Sequence, residues 1–513
     1  MILTSGIEDL TSFPGDNLSE MDGSLTLEDF PKFSPSKSRT THQRAALVLN
    51  NVIFFALLVL IPLAAIPYGT VQPQWEAAFE CWVFALVALS IIEGLVSGVW
   101  PVSGHSLLIP LLAIIVFAFL QTLPLSVKST AGIEAWRTIS ADPFETRLFA
   151  FRLLALTLTL GLMACYTSSP RRLHALIYVV IGVAVGSACF GLARETSQFP
   201  TPFFILPYLE RGIGYGQFIN RNHFAFLMEM ALGLTLGLIA GGGVRRDRML
   251  FFLAAVALMW VTLVLSNSRG GILGMVAQLF FVALLSPAVR SRKELPSQQP
   301  GGNGWFPRLG RSFLVRVALA ACLVAVVAAG VVWIGDDSLV GRFEVVPGEL
   351  SEETADMRQG GRRIEIWRAT WLMIKAHPIM GVGFGGYGTA ISKYHDASGE
   401  TMPQQAHNDY LELQASGGFI GLALGIWFAI NFGNLARQRL RSTDPFRRAA
   451  CFGALAGIFG VAVHSLLDFG LHITANALVF AALVVIATVN GRAEQNPEPG
   501  SLSHQFDGQP ALR

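Results

Sequence analysis

Four polar residues in one short segment have the chemistry needed for proton transfer. His407, Asn408, Asp409 and Glu412 lie within residues 405–412, in a chain of which 52% is hydrophobic. An imidazole ordinarily titrates near pH 6.5, at about the point where a base works in neutral solution. Asp409 or Glu412 could hold the ring of His407 in one tautomer, or Glu412 could lie on a buried face. A single loop histidine is more often structural, so a role for His407 needs further support.

Two arginines beside predicted membrane helices indicate an anion-binding site. Arg221 lies in an Asn-Arg-Asn-His sequence at 220–223, and Arg269 lies in a Ser-Arg-Gly-Gly sequence at 268–271. Each could simply reach lipid headgroups or pair with a carboxylate such as Glu210. A guanidinium group at a helix end, beside exposed backbone donors, could instead bind phosphate through paired hydrogen bonds. A lipid diphosphate would supply such an anion.

The composition is that of a protein with many membrane spans. Charged residues make up only 14% of the chain, and the mean hydropathy is +0.51. A soluble globular surface could not be built from this composition. All five cysteines fall inside predicted spans and none shows metal-ligand spacing. We therefore expect no metal ion, no cofactor and no nucleic-acid partner, whereas membrane lipids surround the protein.

Twelve apolar stretches are long enough, or nearly so, to cross a bilayer, which takes roughly 20 helical residues. They lie at about 45–66, 77–97, 106–123, 148–166, 173–193, 223–240, 250–265, 271–285, 313–334, 417–435, 449–464 and 471–489. The eighth and eleventh stretches are short. The predicted fold is an all-α bundle of about twelve transmembrane helices.

Basic residues in the short loops predict how the chain is oriented. Arginine and lysine clusters precede the first span and follow the fourth, sixth, eighth and tenth spans. With twelve spans, all five clusters fall on one side, which is therefore predicted to be cytoplasmic, together with both termini. Segment 405–412, Arg221 and Arg269 then lie on the opposite face, where the same rule disfavours arginine. The presence of each arginine on that face therefore needs a local explanation.

The chain divides into three predicted parts. Residues 1–44 are rich in Ser, Pro, Gly and acidic residues and are predicted to be a disordered cytoplasmic tail. Residues 45–490 form the transmembrane domain, in which 335–416 is a long extracytoplasmic loop between the ninth and tenth spans. Residues 491–513 form a second cytoplasmic tail.

The long loop contains two ordered patterns. Ile364, Trp367 and Trp371 recur at helical spacing and predict an amphipathic helix with these residues on its apolar face. Residues 381–386 match the Gly-x-Gly-x-x-Gly pattern of dinucleotide-binding sites. That site needs a preceding strand, whereas a helix is predicted here. We expect a glycine turn that approaches a helix or a substrate closely.

An ordered set of motifs runs through the second half of the chain. It comprises the two arginine sequences, Arg363 with Trp367, His-Pro-Ile-Met-Gly-Val-Gly at 377–383, the histidine segment, and Gly-Gly-Phe-Ile-Gly at 417–421. Over about 214–435 these motifs, with the topology of the whole chain, resemble the O-antigen ligase-related family. Members of this family are bacterial inner-membrane glycosyltransferases. They move a glycan from undecaprenyl diphosphate to lipid A core, another glycan or a protein on the periplasmic side.

The resemblance implies an enzyme of polysaccharide biosynthesis in the cell envelope, making lipopolysaccharide or exopolysaccharide. Arg221, Arg269 and Arg363 would bind the carrier diphosphate and stabilise its departing negative charge. His407 would take the proton from the acceptor hydroxyl, and the sugar configuration would invert without a metal ion. The remaining polar residues of the segment would support His407: Asn408, Asp409 and Glu412. Ligases, polymerases and protein-glycosylating members share these motifs, so the acceptor stays open.

A transporter or flippase for lipid-linked glycans is the alternative from another class. Such proteins place polar groups near the membrane midplane, often in repeated halves. The predicted spans hold few charges, chiefly Glu93, Glu229 and Asp468, and the sequence has no visible repeat. Polar residues gather at one face instead, which favours the enzyme.

Overall fold

The protein is a bundle of long apolar helices with a small helical layer at one end. A computed structural model describes residues 41–100, 105–128, 134–196, 214–290, 353–395 and 403–489, together with single positions at 322, 325 and 329.

Thirteen helices are described. They are α1 (Thr41–Ala65), α2 (Pro73–Ser97), α3 (His105–Gln121), α4 (Pro143–Tyr166), α5 (Pro170–Thr196), α6 (Arg221–Ala240), α7 (Met249–Leu265), α8 (Arg269–Arg290), α9 (Glu353–Ala376), α10 (Tyr387–Ile391), α11 (Asp409–Arg439), α12 (Pro445–His464) and α13 (Thr474–Thr488). Within the described residues, the one departure from the all-α prediction is an antiparallel pair of strands, β1 (Leu125–Lys128) and β2 (Glu134–Arg137), with Leu125 opposite Arg137. Short 3₁₀ turns precede α7 and α13.

Nine of the helices in the described ranges are long and apolar enough to cross a membrane. Helices α3 and α13 are apolar but shorter. A helix therefore covers every predicted span except the ninth, which lies almost entirely outside the described residues, so the count of twelve stays a prediction. The two predicted tails and Glu210 also lie outside, apart from residues 41–44, which already belong to α1.

Helices α6 and α12 form the centre of the bundle and touch through glycines. A Cβ atom on Gly233 would lie 2.4 Å from the Gly457 nitrogen, and one on Gly237 would lie 2.2 Å from the Gly453 Cα. Helices in lipid associate mainly by close packing, which small residues allow. The two helices consequently meet backbone to backbone. Their facing ends carry residues of the candidate site, described below.

The predicted amphipathic helix, expected to lie on the membrane or to pack over the bundle, is present as α9, and the three residues of its predicted apolar face are not the ones that it buries. Trp371 is 49% exposed, and Ile364 and Trp367 are only partly buried. The buried positions instead are Ile366, Ala369, Thr370, Met373 and Ile374. Trp367 stays at the edge because its indole N–H donates to the Ala406 carbonyl at 3.0 Å. The helical spacing of the three large apolar residues therefore does not identify the face that α9 buries.

The glycine turn at 381–386 lies directly on two helices, as predicted. A Cβ on Gly385 would be 2.3 Å from the Glu145 carbonyl carbon of α4, and one on Gly381 would be 2.3 Å from the Ser416 carbonyl oxygen of α11. Gly381 also has a φ of +67°, which favours glycine. The turn follows α9, so the strand that a dinucleotide site requires is replaced by a helix.

Gln121, at the end of α3, holds this turn in place. Its Nε2 donates to the carbonyls of Met380 at 2.7 Å and Ser416 at 3.0 Å, and its Oε1 accepts from the Phe384 N–H at 3.3 Å. The side chain is completely buried. One glutamine thus joins the bundle to the layer that carries the histidine segment.

Replacing Gln121 with leucine is expected to destabilise the protein by at least about 2 kcal/mol, because buried backbone groups would lose their partners. The midpoint of thermal unfolding in detergent should fall. Gln74→Leu, at an exposed position of α2, is the matched control and should leave the midpoint unchanged. An equal midpoint for both variants would show that Gln121 does not hold the turn.

Candidate active site

Three helices begin at the same end of the bundle, and each begins at a polar cap. Asn220 precedes α6, Ser268 precedes α8 and Asn408 precedes α11. Each side-chain oxygen accepts a hydrogen bond from a backbone N–H of its own first turn, at 2.8, 3.1 and 3.0 Å respectively. Asn and Ser are preferred at this position for that reason. The motif segments are therefore the starts of helices, and the positive ends of the three helix dipoles face one region.

The glycines of the Ser-Arg-Gly-Gly sequence bring the start of α8 against α6. A Cβ on Gly271 would lie 2.7 Å from the Ala225 Cβ, so a larger residue would push the helices apart. Arg221 and Arg269 are the first residues of their helices and are brought together by this approach. The positive charges of Arg269 and of Arg363, from α9, both act on the Arg221 guanidinium group. The three predicted arginines thus share one region.

One buried carboxylate connects these helix starts to the histidine segment. Asp468 follows α12, and its side chain is 1% exposed. Its Oδ1 lies 3.2 Å from His407 Nδ1, while its Oδ2 accepts from Asn222 Nδ2 and lies 3.9 Å from Arg363 Nη2. Asn222 in turn accepts a hydrogen bond from Ser268 Oγ at 2.7 Å. A continuous network therefore joins α8, α6, α12 and the loop before α11.

The surroundings of Asp468 keep it ionised and fix the tautomer of a neutral His407. Burial alone would raise the pKa of Asp468, but the hydrogen bond with His407 and the positive charge of Arg363 hold that pKa below its usual range. A carboxylate can only accept, so His407 Nδ1 carries the hydrogen and Nε2 keeps its lone pair. Because the side chain of His407 is 30% exposed, the ring is partly accessible as a base.

The backbone of His407 adopts a left-handed conformation, with a φ of +48°. A non-glycine residue in this region is strained by about 1–3 kcal/mol, so its neighbours must hold it there. Besides Asp468, the ring of Phe469 packs edge-on against the imidazole, with 4.9 Å between centroids. The imidazole is therefore fixed by its backbone, a carboxylate and an aromatic ring.

Asp409 and Glu412, suggested from the sequence as partners of His407, bind other groups. Asp409 accepts from Ser465 Oγ at 2.7 Å, and Glu412 accepts from the Ala406 N–H at 2.8 Å. Both belong to the first turn of α11, which directs them toward α12 and the backbone of the loop. Glu412 is 5% exposed, which confirms the alternative that it lies on a buried face. These carboxylates position the loop around His407.

The comparison with known families gives one match. Residues 254–426 match the sequence model of the family described as O-Antigen ligase. The chain carries an O-antigen ligase domain. No curated protein matches it. The nine long apolar helices of the described ranges and this match together indicate a multi-pass membrane protein with a region similar to O-antigen ligases.

The network extends beyond the matched residues 254–426. Asn222 and the neighbouring Arg221 precede them, and Asp468 follows them. The sequence marks Asp468 only as a charge near a predicted span, 61 residues from His407. Its one signal is a carboxylate placed between apolar residues at the end of a predicted span, an arrangement that usually marks function.

Proposed function

We propose that the protein transfers a glycan from undecaprenyl diphosphate to an acceptor hydroxyl on the extracytoplasmic face, with His407 as the base. The observation that carries the proposal is the position of Asp468. It bonds His407 Nδ1 and also lies beside Arg363, whose charge reaches Arg221 together with that of Arg269. The proposed base and the three arginines proposed to bind phosphate therefore lie in one region.

The arginines are suited to hold the carrier diphosphate. Guanidinium groups bind phosphate oxygens in pairs and stay charged when partly buried. Arg363 is 13% exposed, and its Nε has no hydrogen-bond partner among the described residues. Arg221 and Arg269 begin helices, where a cation is unfavourable unless an anion is close. A bound diphosphate would give the Nε of Arg363 a hydrogen-bond partner and would place negative charge at the two helix starts.

The proposed reaction is a single displacement at the anomeric carbon. The acceptor hydroxyl attacks this carbon, its proton passes to His407 Nε2, and the bond from carbon to the diphosphate oxygen breaks. The electron pair leaves with the diphosphate, whose growing negative charge the three guanidinium groups stabilise. Asp468 stabilises the imidazolium that forms. Attack from the face opposite the leaving group inverts the configuration.

The test is transfer by the purified full chain in lipid nanodiscs, with a synthetic lipid-diphosphate glycan as donor. Parallel reactions receive lipid A core, a glycan chain or an acceptor protein, so that the productive acceptor is identified. Nuclear magnetic resonance of the product is expected to show the anomeric configuration opposite to that of the donor. We also expect EDTA to leave the rate unchanged, since guanidinium groups supply the charge.

Two results would contradict the proposal. Retained configuration would require a covalent glycosyl intermediate, which a single displacement does not form. If the protein in liposomes moves the donor across the membrane and transfers its glycan to no acceptor, the protein is a flippase instead.

A further inference from the structure

A basic and aromatic groove lies at the end of the bundle opposite the candidate active site. It is formed by the start of α5, the turn between α6 and α7, and the start of α12. The polar lining comes from His174, Tyr178, Arg245 and Arg248, and Phe446 forms an aromatic wall. Nothing in the proposed glycan transfer uses this groove.

The side chains of the groove are held by contacts with one another. Arg248 Nη1 donates to the Tyr178 hydroxyl at 2.9 Å. His174 stacks on Phe446 with 3.8 Å between ring centroids and nearly parallel planes. Its Nδ1 donates to the Pro170 carbonyl at 2.7 Å, since a carbonyl can only accept. This histidine and Arg248 therefore have fixed directions.

The groove lies at the level where a lipid-facing helix begins. Leu250 and Phe251, in the first turn of α7, lie two and three residues after Arg248 and are 81% and 74% exposed, as expected for side chains in contact with acyl chains. Both belong to a span that is apolar enough to cross the membrane. Tyr178, on the neighbouring helix, is also exposed. Charged groups and apolar surface thus meet where phospholipid headgroups lie.

We propose that this groove binds the phosphate group of an anionic phospholipid. Arg248 and Arg245 would contact the phosphate oxygens, because basic pockets between membrane helices match such headgroups. Arg245 pairs with Asp247 at 3.2 Å, but both are well exposed and such pairs are weak. The adjoining exposed Leu250 and Phe251 favour a lipid over a soluble phosphate, because they would contact its acyl chain.

The test uses native mass spectrometry of the full chain in detergent. The protein is titrated with an equal mixture of phosphatidylglycerol and phosphatidylcholine that have the same acyl chains. The wild type is expected to retain phosphatidylglycerol preferentially. The double variant Arg245→Gln, Arg248→Gln should bind it about thirty-fold more weakly, from the usual contribution of two basic groups near a membrane surface. Tyr178→Phe, which removes only the hydroxyl that holds Arg248, should give a smaller loss.

The matched control is the double variant Arg437→Gln, Arg441→Gln. These arginines are exposed at the same end of the bundle but lie outside the groove. This control should keep the preference for phosphatidylglycerol. Equal retention of both lipids by the wild type, or an equal loss in both double variants, would overturn the proposal. Displacement of the lipid by millimolar inorganic phosphate would identify a site for soluble phosphate instead.

Discussion

Replacing His407 with alanine is expected to lower the rate of glycan transfer by about 10²–10⁴-fold, the usual contribution of a general base. The imidazole is the partly exposed end of a network that fixes its tautomer through Asp468. Carrier binding should remain, because the arginines that are proposed to hold the diphosphate are unchanged. Transfer and carrier binding are measured on the same nanodisc preparation. Near-normal transfer would remove His407 from the reaction.

The substitution Asp468→Asn tests whether Asp468 assists the base His407 through its charge or has only a structural role. Asparagine keeps the size and can still bond His407, but it cannot stabilise the imidazolium through charge. Transfer should fall, and the decline of the rate on the acid side of its pH profile should move to lower pH. A purely structural role would lower the rate equally at every pH. His105→Ala, an exposed histidine at the other end of the bundle, should leave the profile unaltered.

The second large effect is expected from the double variant Arg221→Gln, Arg269→Gln. Each lost hydrogen bond from a charged group to phosphate is worth about 1.5–3 kcal/mol, so carrier binding should weaken by about 10²–10⁴-fold. The two arginines lie together, so their effects need not add. Binding of the lipid-diphosphate donor is measured by titration.

Lysine replacements and a distant arginine provide the controls for this prediction. Arg221→Lys and Arg269→Lys keep the charge but lose the paired donors, so carrier binding should be intermediate. Arg245→Gln, in the opposite groove, should leave it unaltered. If the double glutamine variant binds the carrier as the wild type does, Arg221 and Arg269 are structural anchors of their helices.

The helical class and most element positions follow from the sequence because apolar length and periodicity are local properties. The helix starts at Arg221 and Arg269 lie within two residues of the predicted span starts, and each follows a residue that caps helices. Helix α11, by contrast, begins at Asp409, eight residues before the predicted start at 417. The glycine turn was predictable for the same local reason. In each case the determining groups are neighbours along the chain.

The pairing of His407 with Asp468 and the buried face of α9 were not predictable in this way. The carboxylate comes from beyond α12, and only the packing of that helix brings it to His407. Asp409 and Glu412 were nearer in sequence, but the turn of α11 directs them elsewhere. On α9, a hydrogen bond to the loop kept Trp367 at the edge. Tertiary contacts overrode local patterns at both places.

The glycine contacts between α6 and α12 bear on how natural variants of this protein should be interpreted. Arg221 and Asn222 begin one of these helices and Asp468 follows the other, so the distance between them depends on a backbone contact deep in the bilayer. A methyl group added at Gly233 or Gly457 would be felt at the far end of both helices. Conservative replacements there would be easy to misread as benign, because neither residue lies near the reacting groups.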